Sequence, residues 1–144
     1  MFEIRTEIDI AAPASRVWTV LTDFPRHPEW NPFVRSITGS PQAGSRLTVS
    51  IQPPGGRGMT FKPVVLEAKP NCALRWRGRF LFPGIFDGEH YFEIKEFDST
   101  RVRFIHGEKF SGILVSMAKS SLDNATRAGF IAMNKALKAR AEGF

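Results

Sequence analysis

Two histidines and a glutamate stand at alternating positions in two neighbouring runs of the chain. His90, Phe92 and Ile94 share one face of the first run; Val102, Phe104, His106 and Glu108 share one face of the second. Period-two spacing of this kind belongs to β-strands. A three-residue loop at Asp98-Ser99-Thr100 brings the two apolar faces together, whereas a slip of one residue would set Ile94 beside Arg103. In that register Ile94 faces Phe104, Phe92 faces His106 and His90 faces Glu108. His90 and Glu108 then have Cβ atoms about 5 Å apart, with His106 one diagonal away.

Two imidazoles and a carboxylate on an apolar wall support several chemistries. They can orient a polar ligand group, or perform general acid–base catalysis with the glutamate holding and charging a histidine. They can supply three metal ligands. They can also merely satisfy one another where the sheet opens to solvent, and the residues alone leave these readings open. His90, His106 and Glu108 are the candidate catalytic residues, although no nucleophile or second base stands at motif spacing from them. No metal site and no cofactor are expected.

The wall around them is aromatic. Trp76, Phe80, Phe82, Phe92 and Phe104 fall on the inner face of three consecutive strands, where they either fill a core or line a cavity. On the opposite face Arg75, Arg77 and Arg79 form a basic series. A hairpin through Pro83-Gly84 would set Arg79 near Glu89 and Arg75 near Glu93, so ordinary cross-strand ion pairs account for the series better than a phosphate or anionic-lipid site does. His27, in a proline-rich turn, reads as surface structure. Pro53-Pro54-Gly55-Gly56-Arg57-Gly58 lacks the strand-to-helix setting and the Lys-Ser/Thr ending of a phosphate loop. It reads as a mobile hairpin tip able to gate a cavity mouth.

The elements that must position these residues follow from periodicity. Glu3 to Ile10 alternates as a half-buried strand, with Ile4, Thr6, Ile8 and Ile10 inward. Pro13 opens a helix of roughly ten residues with Val17, Trp18, Val20 and Leu21 on its apolar stripe. Three prolines between Phe24 and Pro32 permit only a short, broken helical turn, which sets Trp30 against the body of the protein. Six strands follow: Val34 to Thr38, Arg46 to Gln52, Thr60 to Lys69, Ala73 to Phe82, Gly88 to Phe97 and Arg101 to Phe110. Short turns between them imply an antiparallel meander. After Gly112 a helical period carries Ala118, Leu122, Ala125, Gly129, Ala132, Met133, Ala136 and Leu137 to about Ala141. The expected architecture is α+β: one seven-stranded curved antiparallel sheet around a long C-terminal helix, with two short helices between the first two strands.

Bulk properties bound the function. A chain of 144 residues fits one domain of roughly 100–200 residues, expected to span 1–144. At 42% hydrophobic and 24% charged residues the chain reads as globular. Cys72 is the only cysteine; it excludes intrachain disulfides and a cysteine zinc site, and reads as a partly buried small hydrophobe. No secretory h-region and no membrane-spanning apolar run is present, so a cytoplasmic protein without integral membrane association is expected. Thirteen phenylalanines and three tryptophans against one tyrosine suit a dry core or an apolar cavity. The net charge of +6 is a weak basis for nucleic-acid binding, and none is expected.

The segment Ile8-Asp9-Ile10-Ala11-Ala12-Pro13-Ala14-Ser15-Arg16-Val17-Trp18, with Phe24-Pro25 and Trp30-Asn31-Pro32, resembles the helix-grip superfamily. That group includes START domains, birch-pollen-allergen-like proteins and proteins labelled polyketide cyclase/dehydrase or SRPBCC. The resemblance covers nearly the whole chain. It implies the helix-grip fold and a cavity between sheet and long helix that holds lipids, sterols, polyketides or hormones. The expected partner is a small hydrophobic molecule, and a homodimer is compatible with the sequence. Its contacts are expected to be Trp76, Phe80, Phe82, His90, Phe92, Phe104, His106, Glu108, Leu122, Phe130 and Met133. Fold alone does not separate a binding protein from a cyclase/dehydrase-type enzyme using a His/Glu acid–base pair, or from a protein-interaction module.

Overall fold

The computed structural model describes residues 2–80, 84, 86–117 and 122–143; the side chains of Phe80, Phe86 and Leu122 are also outside that description. Strand β1 (Phe2–Ile10) leads into helix α1 (Ala14–Thr22), a 3-10 turn (Phe24–Arg26) and the one-turn helix α2 (His27–Trp30). Seven further strands follow: β2 (Val34–Thr38), β3 (Thr48–Ile51), β4 (Met59–Phe61), β5 (Val64–Lys69), β6 (Ala73–Phe80), β7 (Phe86–Asp98) and β8 (Arg101–Ser111). A π-helical turn, Leu122–Thr126, precedes the C-terminal helix α3 (Arg127–Glu142).

The fold is helix-grip-like α+β, with a curved antiparallel sheet and a long C-terminal helix. The described strands number eight, in two sheets ordered β1-β8-β7-β6-β5 and β2-β3-β4, rather than seven in one. Pro63 explains the difference. It falls inside the expected strand Thr60 to Lys69, has no N–H for a ladder, and separates β4 from β5. The two sheets remain stitched beside it, where Leu47 N–H donates to Pro63 O and Val65 N–H to Ser45 O.

Strand β1 pairs with the last strand, Thr6 opposite His106 and Ile4 opposite Glu108, which makes residues a hundred positions apart neighbours. The concave face carries Ile4, Ile10, Leu74, Trp76, Phe92 and Phe104, and α3 packs Phe130, Met133 and Leu137 against it. The inner stripe of α3 differs from the one expected. Gly129, Phe130, Met133, Asn134, Leu137 and Ala141 are buried, while Ala125, Ala132 and Ala136 are half-buried. Gly129, Met133 and Leu137 are buried as expected, with Phe130 and Asn134 beside them in place of Ala132 and Ala136. The expected start at Ala118 lies outside the described residues.

Three local expectations need correction. His27 is buried, not on the surface. Its Nε2–H donates to Leu21 O, and its Nδ1 accepts from Asn31 Nδ2. Asn31 Oδ1 accepts in turn from the backbone N–H groups of Phe33 and Val34, which locks the chain as it enters β2. Cys72 is exposed, because it sits in the β5–β6 turn beside Asn71, whose φ is +64°. The β6–β7 register is also two residues away from that expected. Arg79 faces Asp87 and Arg77 faces Glu89, because Phe80 already pairs with Phe86. Arg75 nevertheless reaches Glu93 diagonally at 2.6 Å and Glu67 at 3.0 Å, so much of the basic series is engaged in outer-face ion pairs.

Candidate functional site

The β7–β8 hairpin brings the polar residues together. Its register pairs Ile94 with Phe104, Phe92 with His106 and His90 with Glu108. The loop reaches this register with a bulge between Glu96 and Asp98 and a tip at Ser99-Thr100, which preserves the parity of a three-residue loop. Asp98 Oδ1 secures the tip by accepting from Thr100 N–H and Oγ1–H.

Five polar side chains then form one line. Thr6 Oγ1–H donates to the His106 carbonyl at 2.8 Å, and Asn134 Nδ2–H donates to Thr6 Oγ1 at 2.8 Å. Asn134 Oδ1 lies 2.9 Å from His106 Nδ1. His106 Nε2 lies 2.7 Å from His90 Nε2, and His90 Nδ1 lies 3.0 Å from Glu108 Oε1. A carbonyl can only accept, so the single hydroxyl hydrogen of Thr6 is committed to it, and Asn134 must face Thr6 with its NH₂. His106 Nδ1 therefore donates to Asn134 Oδ1.

His106 has no exposed surface. Burial, reinforced by the positive charge that His90 can carry, holds its pKa well below the ordinary 6.5, outweighing the opposing Asn134 bond. The ring is thus neutral, its Nε2 bears a lone pair, and His90 Nε2 must donate. Helix α3 builds this environment from one turn: Phe130 stacks on His106 with centroids 4.1 Å apart, and Asn134, four residues on, binds the ring's edge. Trp76 stacks on His90 at 5.2 Å.

Beside the Glu108 end lies a cavity of about 320 Å³. Ile51, Met59 and Phe61 of the small sheet form one wall, and Trp76, His90 and Glu108 of the large sheet form another. Phe33, Val34, Phe110, Leu114 and Thr126 complete it, with Gly78 and Gly88, a cross-strand pair, as bare backbone floor. A Cβ at Gly88 would collide with Glu108 Oε2, so the carboxylate occupies space that only glycine leaves free.

Of the expected contacts, Trp76, His90 and Glu108 line this cavity. His106, Phe92, Phe104, Phe130 and Met133 are buried in the adjoining core and are not part of its lining. Phe82 lies outside the described residues, as do the side chains of Phe80 and Leu122. Sequence reasoning did not select Asn134 or Thr6, polar residues that become partners only when α3 meets β1. It also passed over Gly88, whose in-strand position was the available signal. Among the described residues no group of three or more His, Cys, Asp or Glu side chains could hold a metal ion.

The fold has solved counterparts. Zhui aromatase/cyclase from Streptomyces sp. R1128 superposes with a TM-score of 0.79 at 17% identity, covering 98% of this chain and 93% of that one. Norcoclaurine synthase from Thalictrum flavum gives 0.72 at 13% identity, covering 97% and 93%. A START superfamily protein from Mycobacterium smegmatis gives 0.70 at 16% identity, covering 97% of each. At such identities these likenesses concern the fold alone, and no curated protein matches the sequence. The family model described as polyketide cyclase / dehydrase and lipid transport matches residues 1–142, and with the packing of sheet on helix and the cavity between the sheets now in view, the chain belongs to that family.

Proposed function

We propose that the protein binds one small, mainly apolar molecule in the cavity between its two sheets, beside the π turn that precedes α3 rather than against α3 itself, with the molecule's polar end at Glu108. The observation that carries this reading is the lining. About 320 Å³, near the lower end of the roughly 300–1,000 Å³ typical of ligand sites, is walled by aliphatic and aromatic side chains, with His90, Glu108 and Thr126 its polar lining residues. Burying apolar ligand surface there supplies about 25 cal/mol per Å², and the carboxylate sets orientation.

A second reading, cyclase-type acid–base catalysis, draws support from the hydrogen-bonded His90–Glu108 pair at the cavity edge and from the aromatase/cyclase among the solved counterparts. Glu108 would exchange a proton with the bound molecule while His90 holds the carboxylate.

Native mass spectrometry of the purified protein, followed by organic extraction, tests the binding reading. A co-purifying apolar molecule lost from a Trp76→Ala, Glu108→Ala double variant that still folds is the expected result. An empty protein, with no thermal shift against lipid and polyketide panels, would overturn it.

A further inference from the structure

We infer, building on the binding reading above, that the polar end of the cavity is a hydrogen-bond acceptor in every proton arrangement its network allows, and that the ligand it takes presents a neutral hydroxyl and not a carboxylate. The inference follows from the direction of the hydrogen bonds. Thr6 O–H is committed to the His106 carbonyl, Asn134 NH₂ to Thr6, and His106 Nδ1–H to Asn134 Oδ1. His106 Nε2 then accepts, and His90 Nε2 spends its hydrogen on it.

What remains is the contact between His90 Nδ1 and Glu108 Oε1 at 3.0 Å. Two lone pairs cannot face each other at that distance, so one proton lies on this line. Placed on His90 it makes an imidazolium–carboxylate pair; placed on Glu108 it makes a neutral imidazole and a carboxylic acid. The pair has zero net charge in both cases. In both cases Oε2, the other carboxyl oxygen, carries no hydrogen and can only accept.

With Oε1 engaged by His90, Oε2 is the oxygen left for a ligand. It lies over Gly88 on the cavity floor and has no partner among the described residues. A ligand carboxylate there would set its own lone pairs against Oε2 with no net positive charge to offset its desolvation. A hydroxyl donates to Oε2 and keeps lone pairs for a donor. Trp76 lines the same wall, with its indole N–H buried and without a hydrogen-bond partner among the described residues.

Three naphthalenes of similar shape test this on the intact chain near neutral pH, with binding read by calorimetry or by quenching of tryptophan fluorescence. 2-Naphthol is expected to bind about tenfold or more tightly than 2-fluoronaphthalene, which lacks the donor, and than 2-naphthoate. Glu108→Met is expected to close the gap between the naphthol and the fluoro compound. Equal affinity of those two for the unaltered protein would overturn the inference and leave the binding reading standing. Tightest binding of the naphthoate would also overturn the inference. Failure of all three to bind, together with an empty cavity by mass spectrometry, would overturn both.

Discussion

His90 and His106 present their Nε2 atoms to each other at 2.7 Å, so one ring must donate to the other; Thr6 and Asn134 hold the His106 hydrogen on Nδ1, and burial keeps that ring neutral, so His90 donates. This relationship makes Asn134, a buried polar residue on α3, the point through which helix and sheet fix a tautomer. Asn134→Ala leaves the His106 Nδ1–H and the Thr6 hydroxyl oxygen without their partner. The expected cost is about 1–3 kcal/mol for each buried group left unsatisfied, read as a lowered urea midpoint. An unchanged midpoint would mean that water replaces the amide and that the tautomer is not set from α3.

Stability should fall on mild acidification. His27 and His106 are both buried neutral, and burial pushes each below the ordinary 6.5; for His27 this outweighs the Leu21 carbonyl and Asp23, which act in the opposite sense. A base whose folded pKa is depressed binds more protons unfolded than folded below about pH 6.5, so its stabilisation is complete above that value and is lost as pH drops. Each histidine contributes a slope of up to about 1.4 kcal/mol per pH unit. Urea unfolding between neutrality and about pH 5 measures it. His27→Gln is expected to flatten the slope; a slope unchanged by that substitution would show that His27 protonates freely in the folded state.

Gly129 sets α3 directly against Phe33, at the entry of β2. A Cβ there would collide with the ring of Phe33, and that ring cannot swing aside, since it is fully buried and set edge-on to Phe130 at 5.5 Å. Helix propensity alone would make Gly129→Ala stabilising by about 1 kcal/mol. Overpacking typically costs about 1–3 kcal/mol, so net destabilisation is expected, and a raised melting temperature would contradict the contact.

How far the sequence reveals this arrangement depends on the range of the interaction. Alternation in Glu3 to Ile10 and parity across the Asp98-Ser99-Thr100 turn suffice to place His90 opposite Glu108, because a strand's two faces are written in adjacent residues. Pro63 was equally visible, but its breaking of Thr60 to Lys69 into two strands depends on pairing with Ser45 and Leu47. His27 looked like surface because its partners, Leu21 O and Asn31, are local only once the proline-rich turn has folded back. Asn134 cannot be paired with His106, 28 positions away, without knowing which face of α3 meets β1 and β8.

Gly88 offers the most direct probe of the cavity's polar end. Its missing Cβ gives Glu108 Oε2 its place, with Glu108 Cδ 3.3 Å from the position a Cβ would take. In Gly88→Ala the carboxylate must shift, and with Oε1 held by His90 the oxygen that moves is the one left for the ligand. Replacing glycine within a strand relieves an entropic cost of about 0.5–1 kcal/mol, so the variant should fold at least as stably as the parent. Affinity for 2-naphthol should nevertheless fall about tenfold, the equivalent of one hydrogen bond. Measured together, an undiminished melting temperature and a weakened Kd separate a displaced carboxylate from a damaged fold. A Kd within about twofold of the parent's would place the ligand's polar group away from Glu108.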